Sequence, residues 1–137
     1  MKKPPKPEAD FRAWIKKAES DLKTSEHILT LEEDCPFDTV CFHAQQCAEK
    51  YLKALLVYKS IDFPKTHDIR LLMQRVPDDV KLGLFIEEVV PLNRYTIEAR
   101  YPGDWEPFDR EEAETAVSIA RKIRKAVKAS LPTARRK

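Results

Sequence analysis

The segment from Val40 to Leu56 has a helical repeat of apolar residues that constrains the fold more than any other part of the chain. At 100° per residue, the apolar side chains fall on one continuous arc. The members of that arc are Val40, Cys41, Ala44, Cys47, Ala48, Tyr51, Leu52 and Leu55. On the opposite side, spacings of three, four and three residues align His43, Gln46, Lys50 and Lys53. The segment therefore predicts an amphipathic helix whose polar stripe combines imidazole, amide and ammonium groups.

This polar stripe has two interpretations. In the first, it is the solvated face of a surface helix, with Glu49 and Lys53 forming an ion pair between residues i and i+4. In the second, it lines a groove that binds a ligand. The spacing alone favours the solvated face, because charged stripes are the normal exterior of a helix.

Similar repeats elsewhere predict an all-α, up-down four-helix bundle with an extra short helix. Alternating β-branched runs are missing, and only two of the 137 residues are glycine. The predicted caps are Asp10 for the first helix, Thr66 for the short helix with His67 in its first turn, Asp78 or Asp79 for the next helix, and Asp109 for the last. Pro91 is expected to kink or restart the helix that contains it.

Composition sets the expected boundaries and surroundings. Residues 1–9 are predicted to be a disordered lead, 10–131 the helical bundle, and 132–137 a basic tail. The net charge of +2 is too small to indicate a nucleic-acid binder. The three cysteines have no metal-ligand spacing, so no metal site and a reduced cytoplasmic location are expected. No apolar run has the length of a membrane span.

A second group of candidate residues follows Pro91. Arg94, Arg100 and Tyr101 combine phosphate-binding guanidinium groups with a ring that can stack on a base. Together with Gln46, Lys50 and Lys53, they are the predicted nucleotide- or phosphate-binding residues. The same side chains could instead form ion pairs with acids on the neighbouring helices, namely Glu49, Glu87, Glu88 and Glu98. For His67, a structural anchoring role is favoured over a ligand contact.

Short motifs in a characteristic order give the chain a family resemblance. The pattern Phe-His-x-Gln-Gln-x-x-Glu-Lys-x-Leu-Lys-Ala-Leu, from Phe42 to Leu55, resembles the second helix of the HEPN (higher eukaryotes and prokaryotes nucleotide-binding) domain. The remaining matches are Trp14, Ala18 and Asp21-Leu22 upstream, and Thr66-His67-Asp68-Ile69 and Ala99-Arg100-Tyr101-Pro102 downstream. The resemblance covers about residues 10 to 131 and implies a homodimeric helical bundle. It also implies a minimal nucleotidyltransferase as partner in a toxin–antitoxin-like pair. No cofactor is expected.

The resemblance also implies which residues a catalytic HEPN domain would have. HEPN ribonucleases cut RNA without metal, using an Arg followed after four to six residues by a His. The matching Arg here is Arg94, and the His position falls on Ala99, Arg100 or Tyr101, none of which is histidine. A nucleotide- or RNA-binding module is therefore favoured over a metal-independent RNase. In the RNase alternative, His43 or His67 substitutes from another helix as the catalytic partner of Arg94. A purely structural dimeric module is a further alternative.

Overall fold

The computed structural model describes residues 7–132, with side chains from residue 11 onward. Within this range, five α-helices and one 3₁₀ helix occur and no strand is formed. The α-helices are α1 (Pro7–Leu29), α2 (Phe37–Tyr58), α3 (Ile69–Arg75), α4 (Ile86–Val89) and α5 (Arg110–Ala129), and the 3₁₀ helix is Val90–Thr96. The predicted all-α fold class is confirmed. Most of the predicted lead (residues 1–6) and of the predicted tail (residues 133–137) lies outside the described residues.

Helix α2 is the centre of the bundle. It packs against α1, α5, α3 and the 3₁₀ helix, and thirteen of its 22 residues are buried. The predicted apolar arc is fully buried, with Tyr51, Leu52 and Leu55 among the largest side chains of the core. Because neighbours surround α2 on several sides, part of its polar stripe is also covered.

The helix ends agree with the sequence only in part. Asp109 caps α5 as predicted, because its carboxylate accepts from the backbone N–H of Glu112 at 2.8 Å. Helix α1 begins at Pro7, so Asp10 lies inside it and the predicted cap was wrong. The short helix is capped by Asp68, which accepts from the Arg70 N–H at 3.0 Å.

His67 therefore precedes α3 instead of occupying its first turn. The Thr66 hydroxyl, which was predicted to cap the helix, accepts from the Asp68 N–H at 3.0 Å and shapes the turn before it. This arrangement places His67 in the connection between α2 and α3, beside the polar stripe of α2.

The helix predicted to start at Asp78 or Asp79 begins only at Ile86. Residues 76–85 form no helix, and Gly83 has a φ of +73°, a conformation that side-chain-bearing residues rarely adopt and that interrupts a right-handed helix. The predicted restart at Pro91 is confirmed, since α4 ends at Val89 and the 3₁₀ helix contains Pro91 near its start. Across residues 7–132, no helix is long and apolar enough to cross a membrane.

Candidate phosphate site

A small cavity lies where α1, α2 and the α2–α3 connection meet. Its volume is about 270 Å³, and it is lined by Trp14, Gln46, Glu49, Lys50, Lys53, Lys65, Thr66 and His67. Three predicted phosphate-binding residues, Gln46, Lys50 and Lys53, are thus brought together. The lining contains three lysines and one glutamate, so its formal net charge is +2 with His67 neutral.

Glu49 organises the inner wall of this cavity. Its side chain is 2% exposed, and its carboxylate accepts from Lys53 Nζ at 2.9 Å and from Gln45 Nε2 at 3.0 Å. His67 Nδ1 lies 3.1 Å from both carboxylate oxygens. A buried carboxylate is tolerated only when it is paired and hydrogen-bonded. The predicted Glu49–Lys53 pair is confirmed, but the solvated-face interpretation of the stripe is wrong.

The ammonium group of Lys53 is also enclosed by aromatic rings. It lies 5.2 Å from the ring centroid of Trp14 and 5.8 Å from that of Phe63. Both distances fall within the range of cation–π attraction. Lys53 is therefore fixed in position, whereas the side chain of Lys65 is exposed at the cavity mouth.

A second acid, Asp21 of α1, fixes the other end of the stripe. It accepts from His43 Nδ1 at 2.8 Å and from Lys50 Nζ at 2.6 Å. Burial by itself raises the pKa of Asp21, but the hydrogen bonds and charges of His43 and Lys50 outweigh it and lower that pKa. Asp21 thus forms a salt bridge from α1 to the neighbouring helix α2. The contact with Asp21 uses Nδ1 of the His43 imidazole, so a further hydrogen bond of this ring would use Nε2.

Arg94 lies away from the lysine cavity. Its guanidinium contacts Glu98 at 3.1 Å and Glu112 of α5 at 2.7 Å, and it stacks near the rings of Tyr95 and Phe108. Burial lowers the pKa of Arg94, but the neighbouring carboxylates outweigh this and raise it. From the sequence, an ion pair with Glu98 was one alternative to phosphate binding by Arg94, and the structure contains that ion pair. Among the described residues, no histidine hydrogen-bonds to Arg94.

Arg100 and Tyr101 line a different cavity of about 460 Å³, next to Asp38 and Trp105. The Arg100 guanidinium lies 5.5 Å from the ring centroid of Phe42 and 5.3 Å from that of Tyr101. This places the segment beside the first turns of α2, whereas the lysine cavity lies further along the same helix. The six predicted phosphate-binding residues are therefore not brought into one groove.

Four residues that line the cavity were not among the predicted site residues, namely Trp14, Glu49, Lys65 and Thr66. Trp14 was noted as a family match, Glu49 as an ion-pair partner and Thr66 as a helix cap, and Lys65 was not singled out. Helical spacing does not show that Glu49 is buried, because the α2–α3 connection that covers it lies further along the chain. Among the described residues, no group of His, Cys, Asp and Glu side chains is arranged to hold a metal ion.

The comparisons with known proteins agree with this fold. Residues 11–130 match the HEPN domain, and the chain belongs to the HEPN family. In structure it is similar to TT1696 from Thermus thermophilus, with 31% identity, a TM-score of 0.75 and coverage of 88% of this chain and 98% of that one. It is also similar to ST0689, described as an archaeal HEPN homologue, with 26% identity, a TM-score of 0.69 and coverage of 88% and 96%.

A relative by sequence comes from Methanocaldococcus jannaschii. It is named "Putative toxin MJ1304" and is 26% identical, with 85% of each chain covered.

Proposed function

We propose that this HEPN chain is the toxin-like member of a toxin–antitoxin-like pair and binds the phosphate groups of a nucleotide or RNA in the lysine cavity. The observation that carries the proposal is the convergence of Gln46, Lys50 and Lys53 with Lys65 around one small cavity. Ammonium groups and an amide are donors that suit phosphate oxygens. The sequence has two glycines, so side chains and not a glycine-rich backbone loop would hold the phosphate.

The lysines differ in what they can contribute. Lys50 and Lys53 already contact Asp21 and Glu49, yet each ammonium has three N–H donors and retains some for a ligand. Lys65 has no carboxylate contact among the described residues. Trp14 adds a ring that can stack on a base. Lys65 should therefore contribute most to the net attraction for phosphate.

The proposed partner is a minimal nucleotidyltransferase, which the family resemblance implies. The archaeal relative is named as a toxin, and this name supports a toxin–antitoxin-like pair. Co-expression with a candidate transferase, followed by size-exclusion chromatography of the mixture, tests this part of the proposal. A stable complex supports it, and separate elution of the two chains overturns it.

A titration with fluorescently labelled ATP tests the phosphate site. Lys65→Ala should weaken binding by about tenfold, because a charge-assisted hydrogen bond contributes about 1.5–3 kcal/mol. The matched control is Lys81→Ala, which removes an exposed lysine from the segment before α4. Equal losses in the two variants would indicate nonspecific attraction and would contradict the proposal.

A metal-independent RNase is a second candidate, and one contact favours it. The imidazole of His43 is held by Asp21 at 2.8 Å, as a general base needs to be. The ring of His43 packs on Phe42, which also contacts Arg100. Cleavage of RNA in the presence of a chelator, lost in His43→Gln, would support this candidate. Loss of cleavage in Arg94→Ala but not in Arg100→Ala would assign the arginine role to Arg94.

A further inference from the structure

The groove between α1 and α5 concentrates positive charge that the proposed function does not use. Its volume is about 1000 Å³, and six bases and two acids line it. The bases are Lys16, Lys23, Arg121, Arg124, Lys125 and Lys128. This local excess is larger than the net charge of +2 of the whole chain, so the remaining residues are slightly acidic overall.

Both acids of the groove already contact arginines. Glu26 contacts Arg121 at 2.6 Å, and Glu19 contacts Arg124 at 2.5 Å. Burial raises the pKa of Glu19, but hydrogen bonds from Arg124 and Tyr51 and nearby positive charges outweigh it and lower that pKa. The two carboxylates are thereby satisfied inside the protein.

The four lysines of the groove are available to an external anion. Within the part of the chain whose side chains are described, none of Lys16, Lys23, Lys125 and Lys128 forms an ion pair with a carboxylate, and all four are exposed. Lys16 and Lys23 are seven residues apart, which is about 10 Å along a helix. Lys125 and Lys128 stand on the facing helix, so the lysines border the groove from two sides.

The lining indicates what kind of anion fits. It contains no aromatic residue, and its one apolar residue, Leu22, is buried. The centre of a protein–protein interface is normally apolar and rich in aromatic side chains, and proteins that hold the bases of single strands stack them on aromatic rings. Lysines without aromatic neighbours instead suit a phosphodiester backbone.

We propose that the α1–α5 groove binds the phosphodiester backbone of RNA without contacting its bases. This surface is separate from the lysine cavity, because Lys16 and Lys23 lie about half a turn around α1 from Trp14 and Asp21. Failure of RNA binding in the groove would therefore leave the proposed nucleotide site intact.

Fluorescence anisotropy with labelled oligouridine tests the proposal. The double variant Lys23→Gln/Lys125→Gln should bind at least about tenfold more weakly than the wild type. The slope of log affinity against log salt should become shallower by about 1.4, because each phosphate contact in a single strand contributes about 0.7. Labelled ATP should bind this variant as it binds the wild type.

The matched control is Lys17→Gln/Lys122→Gln, which removes two exposed lysines from the same helices outside the groove. It should change the affinity by less than about threefold and leave the salt slope unchanged. Equal losses and equal slopes in the two double variants would overturn the proposal. So would the absence of binding by the wild type at low salt, or a strong preference between oligouridine and a mixed-sequence RNA.

Discussion

Lys53 Nζ lies 2.9 Å from Glu49 Oε2, although the two side chains are only 7% and 2% exposed. Removing one partner of a buried pair leaves an uncompensated charge, at a cost of about 3–5 kcal/mol. Glu49→Leu should therefore lower the free energy of unfolding by about that amount. Urea unfolding followed by circular dichroism measures it.

Glu87→Leu is the matched control, because Glu87 is an exposed acid on α4. It should change the free energy of unfolding by less than about 0.5 kcal/mol. If Glu49→Leu were no more destabilising than this control, Glu49 would not organise the cavity wall.

The contact of Asp21 with His43 and Lys50 predicts a pH dependence. The pKa of Asp21 is lowered from 3.8 in the folded chain, so the contact stabilises the fold fully above that value. Its contribution is lost as the pH falls below about 3.8 and through the lowered pKa. The difference in unfolding free energy between the wild type and Asp21→Asn should accordingly shrink in acid. A difference that stays constant from neutral pH to below 3 would contradict the assignment.

Arg94 should act on stability more than on phosphate affinity. Its ion pairs with Glu98 and Glu112 form at a side chain that is 37% exposed, so each coupling is expected to be about 0.5–1 kcal/mol. A double-mutant cycle with Arg94→Ala and Glu112→Ala measures one of them. Loss of ATP binding by Arg94→Ala without any change in stability would instead support the ligand role predicted from sequence.

A homodimer remains a prediction. Among the large apolar residues, Leu56 is buried and Phe42 and Phe108 are half-buried, but Phe85 and Trp105 are exposed. Ile97 and Tyr101 are also exposed, at 57% and 53%. Sedimentation of the wild type should give twice the chain mass, and Ile97→Glu should weaken the association. A wild-type monomer at tens of micromolar would refute the prediction.

The helices that the sequence predicts best are those with a regular apolar repeat and an identifiable end. The arc of α2 and the cap of α5 at Asp109 depend on neighbours in sequence, and both are confirmed. Val80 and Leu84 are four positions apart, a spacing that favours the helix predicted from Asp78 or Asp79. The backbone conformation of Gly83 interrupts it, and apolar spacing does not reveal that conformation.

Only three of the six predicted phosphate-binding residues line the lysine cavity, and the reason is a different one. Gln46, Lys50 and Lys53 share a helix face, so their proximity follows from helical geometry. Whether Arg94 or Trp14 faces them depends on how other elements pack on α2. Arg94 was grouped with the lysines and Trp14 was not, because periodicity within one helix carries no information about its neighbours.

The chain has two tryptophans, and each lines one of the two cavities that contain predicted phosphate-binding residues. Trp105→Phe leaves Trp14 as the reporter of the lysine cavity. Trp14→Phe leaves Trp105 as the reporter of the cavity beside Arg100 and Tyr101. Tryptophan fluorescence of these two variants can therefore show which cavity binds a nucleotide.

Titration of both variants with ATP tests the central claim most directly. A saturable change in Trp14 fluorescence, weakened about tenfold by adding Lys65→Ala, is the predicted result. The fluorescence of Trp105 should stay constant over the same range. A saturable change at Trp105 with none at Trp14 would contradict the account and move the phosphate site to Arg100 and Tyr101.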